Sequence, residues 1–240
     1  MKPLVFIHGW AQSKQVWYQQ QHAFPTAHFL NLPGHGGAAD KPAATWVDYL
    51  AEALPDAPCT VVGWSLGGML AINLAQRFPE RITGLALVAS TPHFTVEDDW
   101  PYGCDNTTFA AFHEAVSSTS ARQLNRFFSL MLHGDGLTRS QHNQLARLAI
   151  DRSRPTSQAG LLAGLTLLAA LDFRASLNTI NTDLLLLHGE NDAVISVESS
   201  RHIAEQRPAA EMHFFNRCGH APFLTQPDRF NSILKQWWQQ

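Results

Sequence analysis

The run Val61-Val62-Gly63-Trp64-Ser65-Leu66-Gly67-Gly68 constrains this chain more than any other. The apolar stretch from Cys59 to Val62 reads as a buried strand, and Met69 to Phe78 reads as a helix. Only a very tight turn can join them. In such a G-x-S-x-G turn the positions flanking the serine have no room for a bulky Cβ, which Gly63 and Gly67 satisfy. The Ser65 hydroxyl is then lifted off the end of the strand. The Leu66 amide and the positive end of the following helix face the same space. A Gly/Ser turn without chemistry is the alternative reading. The flanking strand and helix, and suitable partners further along the chain, argue against it.

Much of the remaining chain alternates in the same way. Leu4 to Ile7 reads as a buried strand ending in His8-Gly9-Trp10, and Ala27 to Leu32 as a weaker one ending in Pro33-Gly34-His35-Gly36-Gly37. Further strands are expected over Ile82–Ala89, Leu184–Leu187 and Glu211–Phe215, and helices over Trp46–Leu54, Ser199–Gln206 and Arg229–Trp238. Alternation of this kind specifies a mostly parallel sheet with right-handed crossovers, whose function gathers at the carboxyl ends of the strands. From about Phe94 to Leu171 no parallel strand is legible. Thr108–Val116, Ser120–His133, Arg139–Asp151 and Gln158–Leu171 read instead as four amphipathic helices. The expected organisation is an α/β core of residues 1–93 and 172–240 with a four-helix cap of residues 94–171 inserted between two strands.

The length of 240 residues fits one domain carrying an insertion, and a net charge of -3 gives no overall case for nucleic acid or an anionic membrane. Cys59, Cys104 and Cys218 are far apart and odd in number, which fits buried thiols in a reducing cytosol. No apolar run has the length of a membrane span, and Met1-Lys2-Pro3 before a short strand does not read as a signal peptide. Without a phosphate-binding loop, a metal-ligand cluster or a dinucleotide fingerprint, no cofactor is expected.

A serine at its free pKa is a weak nucleophile and needs a base, which in turn needs an orienting acid. Of the 12 histidines, His220 lies in a Gly-His-Ala-Pro-Phe loop after the last strand, where the order Ser…Asp…His places the base. His8 and His35 read as shapers of their turns. His188 ends a strand but precedes the acid, and His93 has no acid following it at a useful place. The acid is Asp192, in Gly189-Glu190-Asn191-Asp192, with Glu190 and the Asp98-Asp99 pair as rivals. The oxyanion hole requires two preorganised amides, assigned to Leu66 and Trp10.

On His8-Gly9-Trp10, Leu32-Pro33-Gly34-His35-Gly36, Gly63-Trp64-Ser65-Leu66-Gly67-Gly68, Gly189-Glu190-Asn191-Asp192 and Gly219-His220-Ala221-Pro222, the chain resembles the α/β-hydrolase superfamily over nearly its whole length. More narrowly it is similar to the carboxylesterases that cleave the methyl ester of pimeloyl-acyl-carrier protein in biotin synthesis. That likeness rests on Asp99-Trp100-Pro101 entering the cap, Asn125-Arg126-Phe127 with Leu130 inside it, Leu171-Asp172-Phe173-Arg174 leaving it, and His220-Ala221-Pro222-Phe223. The resemblance implies a Ser65-His220-Asp192 triad, an acyl-enzyme, and a monomeric cytoplasmic enzyme. It implies an acyl channel lined by Trp10, Trp64, Leu66, Phe127, Phe128, Ser129, Leu130 and Met131. It further implies a transient acyl-carrier-protein partner, for which the cap arginines Arg122, Arg126, Arg139 and Arg147, with Arg152 and Arg154 close by, are the expected docking charges. Packing onto the sheet is the alternative for Phe127, Phe128 and Leu130, and simple solvation is the alternative for the arginines. Relatives usually carry a β-hairpin ahead of the His-Gly-Trp strand, so the resemblance also implies a shortened sheet edge. A general esterase, an enol-lactonase or a C–C hydrolase shares the same triad, whereas a ligand receptor on this scaffold would be expected to have lost part of it.

Overall fold

In the computed structural model, which describes residues 2–117 and 127–240, six strands among the described residues pair in parallel. They are β1 (Leu4–Ile7), β2 (His28–Leu30), β3 (Cys59–Trp64), β4 (Ile82–Val88), β5 (Asp183–Gly189) and β6 (Glu211–Phe215), in the order β2-β1-β3-β4-β5-β6 across the sheet. β1 and β3 are buried at every position, and β4 and β5 at all but one each. Strands covered on both faces need helices on both, which is why these segments read as continuous apolar runs rather than alternating ones.

The helices are α1 (Tyr18–Ala23), following a 3₁₀ turn at Lys14–Trp17, then α2 (Trp46–Glu52), α3 (Leu66–Arg77), α4 (Asn106–Ser117), α5 (residues 127–131), α6 (Arg139–Ala149), α7 (Gln158–Ala170), α8 (Val197–Gln206), α9 (Pro222–Thr225) and α10 (Pro227–Trp238). α3 starts at once after Ser65, three residues before the sequence reading places it. The helix-weakening Gly67 and Gly68 stand there for space. A Cβ on Gly67 would lie 2.5 Å from the carbonyl oxygens of both Ile7 and His8, and one on Gly68 would strike the Ser90 side chain. α1 is not legible in the sequence, because Tyr18-Gln19-Gln20-Gln21-His22 shows no apolar periodicity. Gln20 is nonetheless fully buried, donating to Phe223 O at 3.1 Å and to Asn231 Oδ1 at 3.0 Å.

β2 lies to one side of β1 and the remaining strands to the other, so the order reverses between β1 and β3. Ligand crevices form at the carboxyl ends of strands beside such a reversal. The register Ile7 opposite Gly63 brings His8-Gly9-Trp10 beside Trp64-Ser65 there.

Between β4 and β5 the described residues form α4 to α7, a 3₁₀ turn at Arg174–Thr179 and isolated bridges, with no strand among them. The entry and exit of this stretch are tied together. His93 pairs with Asp172, the Phe173 amide donates to Pro92 O at 2.9 Å, and the Arg174 guanidinium reaches Asp172 at 2.6 Å and Asp99 and Glu97 at 2.7 Å each. The three carboxylates that meet Arg174 remain solvent-accessible, so each pair is of modest worth and the strength lies in the network.

Behind the site two buried imidazoles pack 5.3 Å apart. His8 donates from Nδ1 to Gly9 O at 2.8 Å and accepts from the Leu32 amide on Nε2 at 3.0 Å, a pattern only the neutral ring can make. His35 donates from Nδ1 to Pro33 O at 2.8 Å. Burial, and secondarily His35, lowers His8 well below the usual range, and burial lowers His35 to about 4. Bases whose folded pKa is depressed leave the unfolded chain holding more protons between about 4 and the ordinary value near 6.5, so stability falls as pH drops through that window. Unfolding in urea at pH 7 and pH 5 should show wild type losing about 2 kcal/mol more than His35→Gln across that interval. Equal losses in the two proteins would contradict the neutral, buried His35.

Candidate active site

Ser65 has φ 55° and ψ -121°, a left-handed conformation that a residue with a Cβ avoids. Holding it costs on the order of 1–3 kcal/mol, met by the surroundings. The Ser65 amide donates to Val88 O at 3.0 Å, and its carbonyl accepts from the Ser90 hydroxyl at 2.9 Å. Gly63 approaches the Gly67 carbonyl so closely that a Cβ would collide with it. The end of β1 crosses the serine just as tightly, since a Cβ on Gly9 would lie 3.1 Å from Ser65 Cβ. The amide that follows is that of Trp10. The Leu66 amide opens α3 and is one of the N–H groups a helix cannot pair internally. Both amides singled out in the sequence therefore start at adjacent strand ends beside the serine.

Asp192 follows β5 and His220 follows β6, in two loops packed backbone to backbone at Gly189 and Gly219. The Glu190 amide donates to Phe215 O at 3.0 Å and the Asn191 amide to Cys218 O at 2.9 Å. Across this seam His220 Nδ1 donates to Asp192 Oδ2 at 2.7 Å, with both side chains fully buried. Asp192 Oδ1 accepts from the amides of Val194 at 2.8 Å and Ile195 at 3.0 Å. Burial alone would push the Asp192 carboxyl up. The His220 imidazole, with the hydrogen bonds from His188 and His220, outweighs burial and holds the acid well below the usual carboxylate range. With its proton committed to Asp192, the neutral His220 ring keeps a lone pair on Nε2, which is buried and makes no hydrogen bond among the described residues. The Trp64 indole donates to His220 O at 2.8 Å, tying the loop to the residue before the serine.

The rival acids lie elsewhere. Glu190 is exposed, and Asp99 faces Arg174. The sequence reading passed over His188, whose Nε2 lies 3.1 Å from Asp192 Oδ2. It was judged there by chain order, and a neighbour of the acid leaves no mark in chain order.

The helical segment between β4 and β5 packs against Trp10. The Trp10 indole donates to Leu161 O at 2.9 Å and lies against Gly164, where a Cβ would sit 2.6 Å from Trp10 Cδ1. Its ring meets Phe127 at 5.0 Å and Phe112 at 6.0 Å. Trp64, Leu66, Phe127 and Met131 are buried, and Leu130 is half-buried. Phe128 is buried against His142 of α6, with ring centres 5.8 Å apart, and Ser129 is exposed. Arg139 and Arg147 are exposed on α6, as are Arg152 and Arg154 beyond it, while Arg122 and Arg126 lie outside the described residues.

A second contact missed in the sequence is the anchorage of the histidine loop by residues 131–135. The His220 amide donates to Met131 O at 2.8 Å, the Gly219 amide to Asp135 Oδ1 at 3.0 Å, the Thr225 hydroxyl to the same oxygen at 2.8 Å, and Asn191 Nδ2 to Gly134 O at 3.1 Å. Burial raises the Asp135 carboxyl, against the pull of these hydrogen bonds. His-Gly-Asp-Gly reads as an ordinary polar turn, so nothing in its composition flags this role. Asp135→Ala strands the Gly219 and Thr225 donors and should cost about 1–3 kcal/mol in urea unfolding, with Asp135→Asn costing less. An unchanged midpoint in the alanine variant would remove Asp135 from this account.

No thiol competes with the serine. All three cysteines are buried, and burial pushes Cys59 up to about 11 and Cys104 to about 12, with Cys218 raised as well. No helix among the described residues is long and apolar enough to cross a membrane.

A serine held in a strained strand–helix turn, with a paired aspartate and histidine on the loops after the last two strands, marks a class of protein. The family model for the alpha/beta hydrolase fold matches residues 2–227, and the chain belongs to that family. Within it, the chain is 38% identical over 239 residues to a pimeloyl-[acyl-carrier protein] methyl ester esterase of Nitrosomonas europaea, covering 96% of this chain and 93% of the relative. It is 37% identical over 237 residues to the protein of the same name from Aromatoleum aromaticum, covering 94% and 93%. An esterase from Exiguobacterium antarcticum superposes with a TM-score of 0.88 at 20% identity, over 100% of this chain and 92% of that one. A bromoperoxidase from Bacillus anthracis does so with a TM-score of 0.87 at 23% identity, over the same shares. These two share the fold.

Proposed function

We propose that this chain is a serine carboxylesterase that hydrolyses the methyl ester of pimeloyl-acyl-carrier protein to the free acid and methanol. The observation that carries the reaction is the buried His220–Asp192 pair with its bare Nε2, tied through Trp64 to the strained serine. The substrate is supported by the near-full-length similarity to esterases of that name.

In this reading Ser65 Oγ attacks the ester carbonyl as His220 Nε2 takes its proton. Asp192 fixes the tautomer and stabilises the imidazolium. The oxyanion lies between the amides of Trp10 and Leu66, an arrangement in which one donor contributes about 10²–10³ in kcat. Collapse expels methanol, which leaves with the proton from Nε2. Water, activated by the same nitrogen, then releases the carboxylate from the acyl-enzyme. Residues 94–171 act as the cap over the acyl chain, with Trp10, Trp64, Leu66 and Phe127 to Met131 as its channel. The carrier protein is acidic, and Arg122, Arg126, Arg139 and Arg147 supply its docking charges.

Mass measurement of the carrier-bound ester tests this directly. Wild type should convert the methyl ester to the acid while Ser65→Ala leaves it intact. Cleavage of a short aryl ester without demethylation of the carrier-bound one would retain the site and discard the substrate. Asp192→Asn should lower kcat by about 10⁴ with the fold retained. Reversing Arg122 and Arg126 to Glu should raise KM for the carrier-bound ester and spare the short one, and equal loss on both would dismiss the docking charges.

A further inference from the structure

His188 lies at the end of β5, fully buried, and has no part in the mechanism so far. Its Nε2 is 3.0 Å from Ile195 O and 3.1 Å from Asp192 Oδ2. Both atoms are acceptors without hydrogens, so Nε2 must carry the proton. Its Nδ1 is 2.7 Å from Ser200 Oγ in α8, and in the neutral ring that nitrogen accepts the hydroxyl proton. The contacts close a ring. Asp192 Oδ1 accepts from the Ile195 amide at 3.0 Å, the Ile195 carbonyl accepts from His188, and the same His188 edge faces Asp192 Oδ2. That oxygen is also the one His220 uses, 2.7 Å away.

We infer that His188, with its tautomer set by the two acceptors at Nε2, is a positioning residue for the acid. It fixes the turn from Asp192 to Ile195 and places an N–H edge on the carboxylate oxygen that orients the base. The inference rests on the triad reading of Ser65, His220 and Asp192. An ionised carboxylate buried away from water needs donors on both oxygens, and without His188 the Oδ2 atom would keep His220 alone. Any motion of that oxygen would then move the base.

The two conservative amides separate this role from packing. Gln carries its N–H₂ at the place of Nε2, whereas Asn carries its own at the place of Nδ1. On a short aryl ester, His188→Asn should lower kcat about 10–100-fold with KM within about twofold, while His188→Gln stays within a few-fold of wild type. Equal behaviour of the two variants, whether both active or both impaired, overturns the inference. Asp192→Asn is assayed beside them. Wild-type activity there sinks the triad reading itself, whereas an inactive Asp192→Asn beside a fully active His188→Asn sinks only the role of His188. Nitrogen NMR of the unmutated protein with labelled histidine needs no variant to fold. His188 should show a protonated Nε2 and a bare Nδ1, and the reverse assignment overturns the inference.

Discussion

The left-handed backbone of Ser65 is the constraint from which the site is built. An isolated chain would relax it, so the fold must clamp it from several sides at once. β4 does so through Val88 O and the Ser90 hydroxyl, and β1 by crossing at Gly9. α3 does so by starting without an intervening loop. Each clamp is backbone, or a short side chain next to backbone, so the hydroxyl has little freedom to wander. The same crowding brings the two candidate oxyanion amides close, because Trp10 follows Gly9 beyond β1 and Leu66 follows Ser65 beyond β3.

Asp192 and His220 are held in a different way. Neither is held by its own strand alone. Asp192 is fixed by two amides of its own turn and by imidazoles on two sides, and His220 by the Asp192 carboxylate, the Met131 carbonyl of α5 and the Trp64 indole. A buried carboxylate so surrounded stays ionised, which keeps the His220 proton on Nδ1 and the lone pair on Nε2.

How much of this could be read from the amino acids follows from what each feature leaves in the sequence. β1, β3, β4 and β5 are continuous apolar runs and were legible to within two residues at either end. The Glu211–Phe215 strand was legible to the residue. The elbow was legible because its glycines are forced. α1 was hidden, since a buried glutamine that donates to Phe223 O and Asn231 Oδ1 has the composition of a surface loop. The start of α3 was displaced because glycines needed for close approach also resemble helix breakers. His188 and Asp135 act on residues 4 and 84 positions away in the chain, and only the packed seam between the loops reveals either.

That seam bears on how freely this architecture could be rebuilt. The amide of His220 ends on Met131 O, Gly219 rests on Asp135, and Asn191 holds Gly134, while on the far side the Trp10 indole ends on Leu161 O. The helices between β4 and β5 are thus not an accessory laid over a finished sheet. Part of the scaffolding of the His220 loop belongs to them. Exchanging the whole insertion between relatives, as one would swap a specificity module, would hand the recipient a histidine loop with orphaned donors. A graft that keeps residues 131–135 native and varies only what lies outside them preserves that scaffolding.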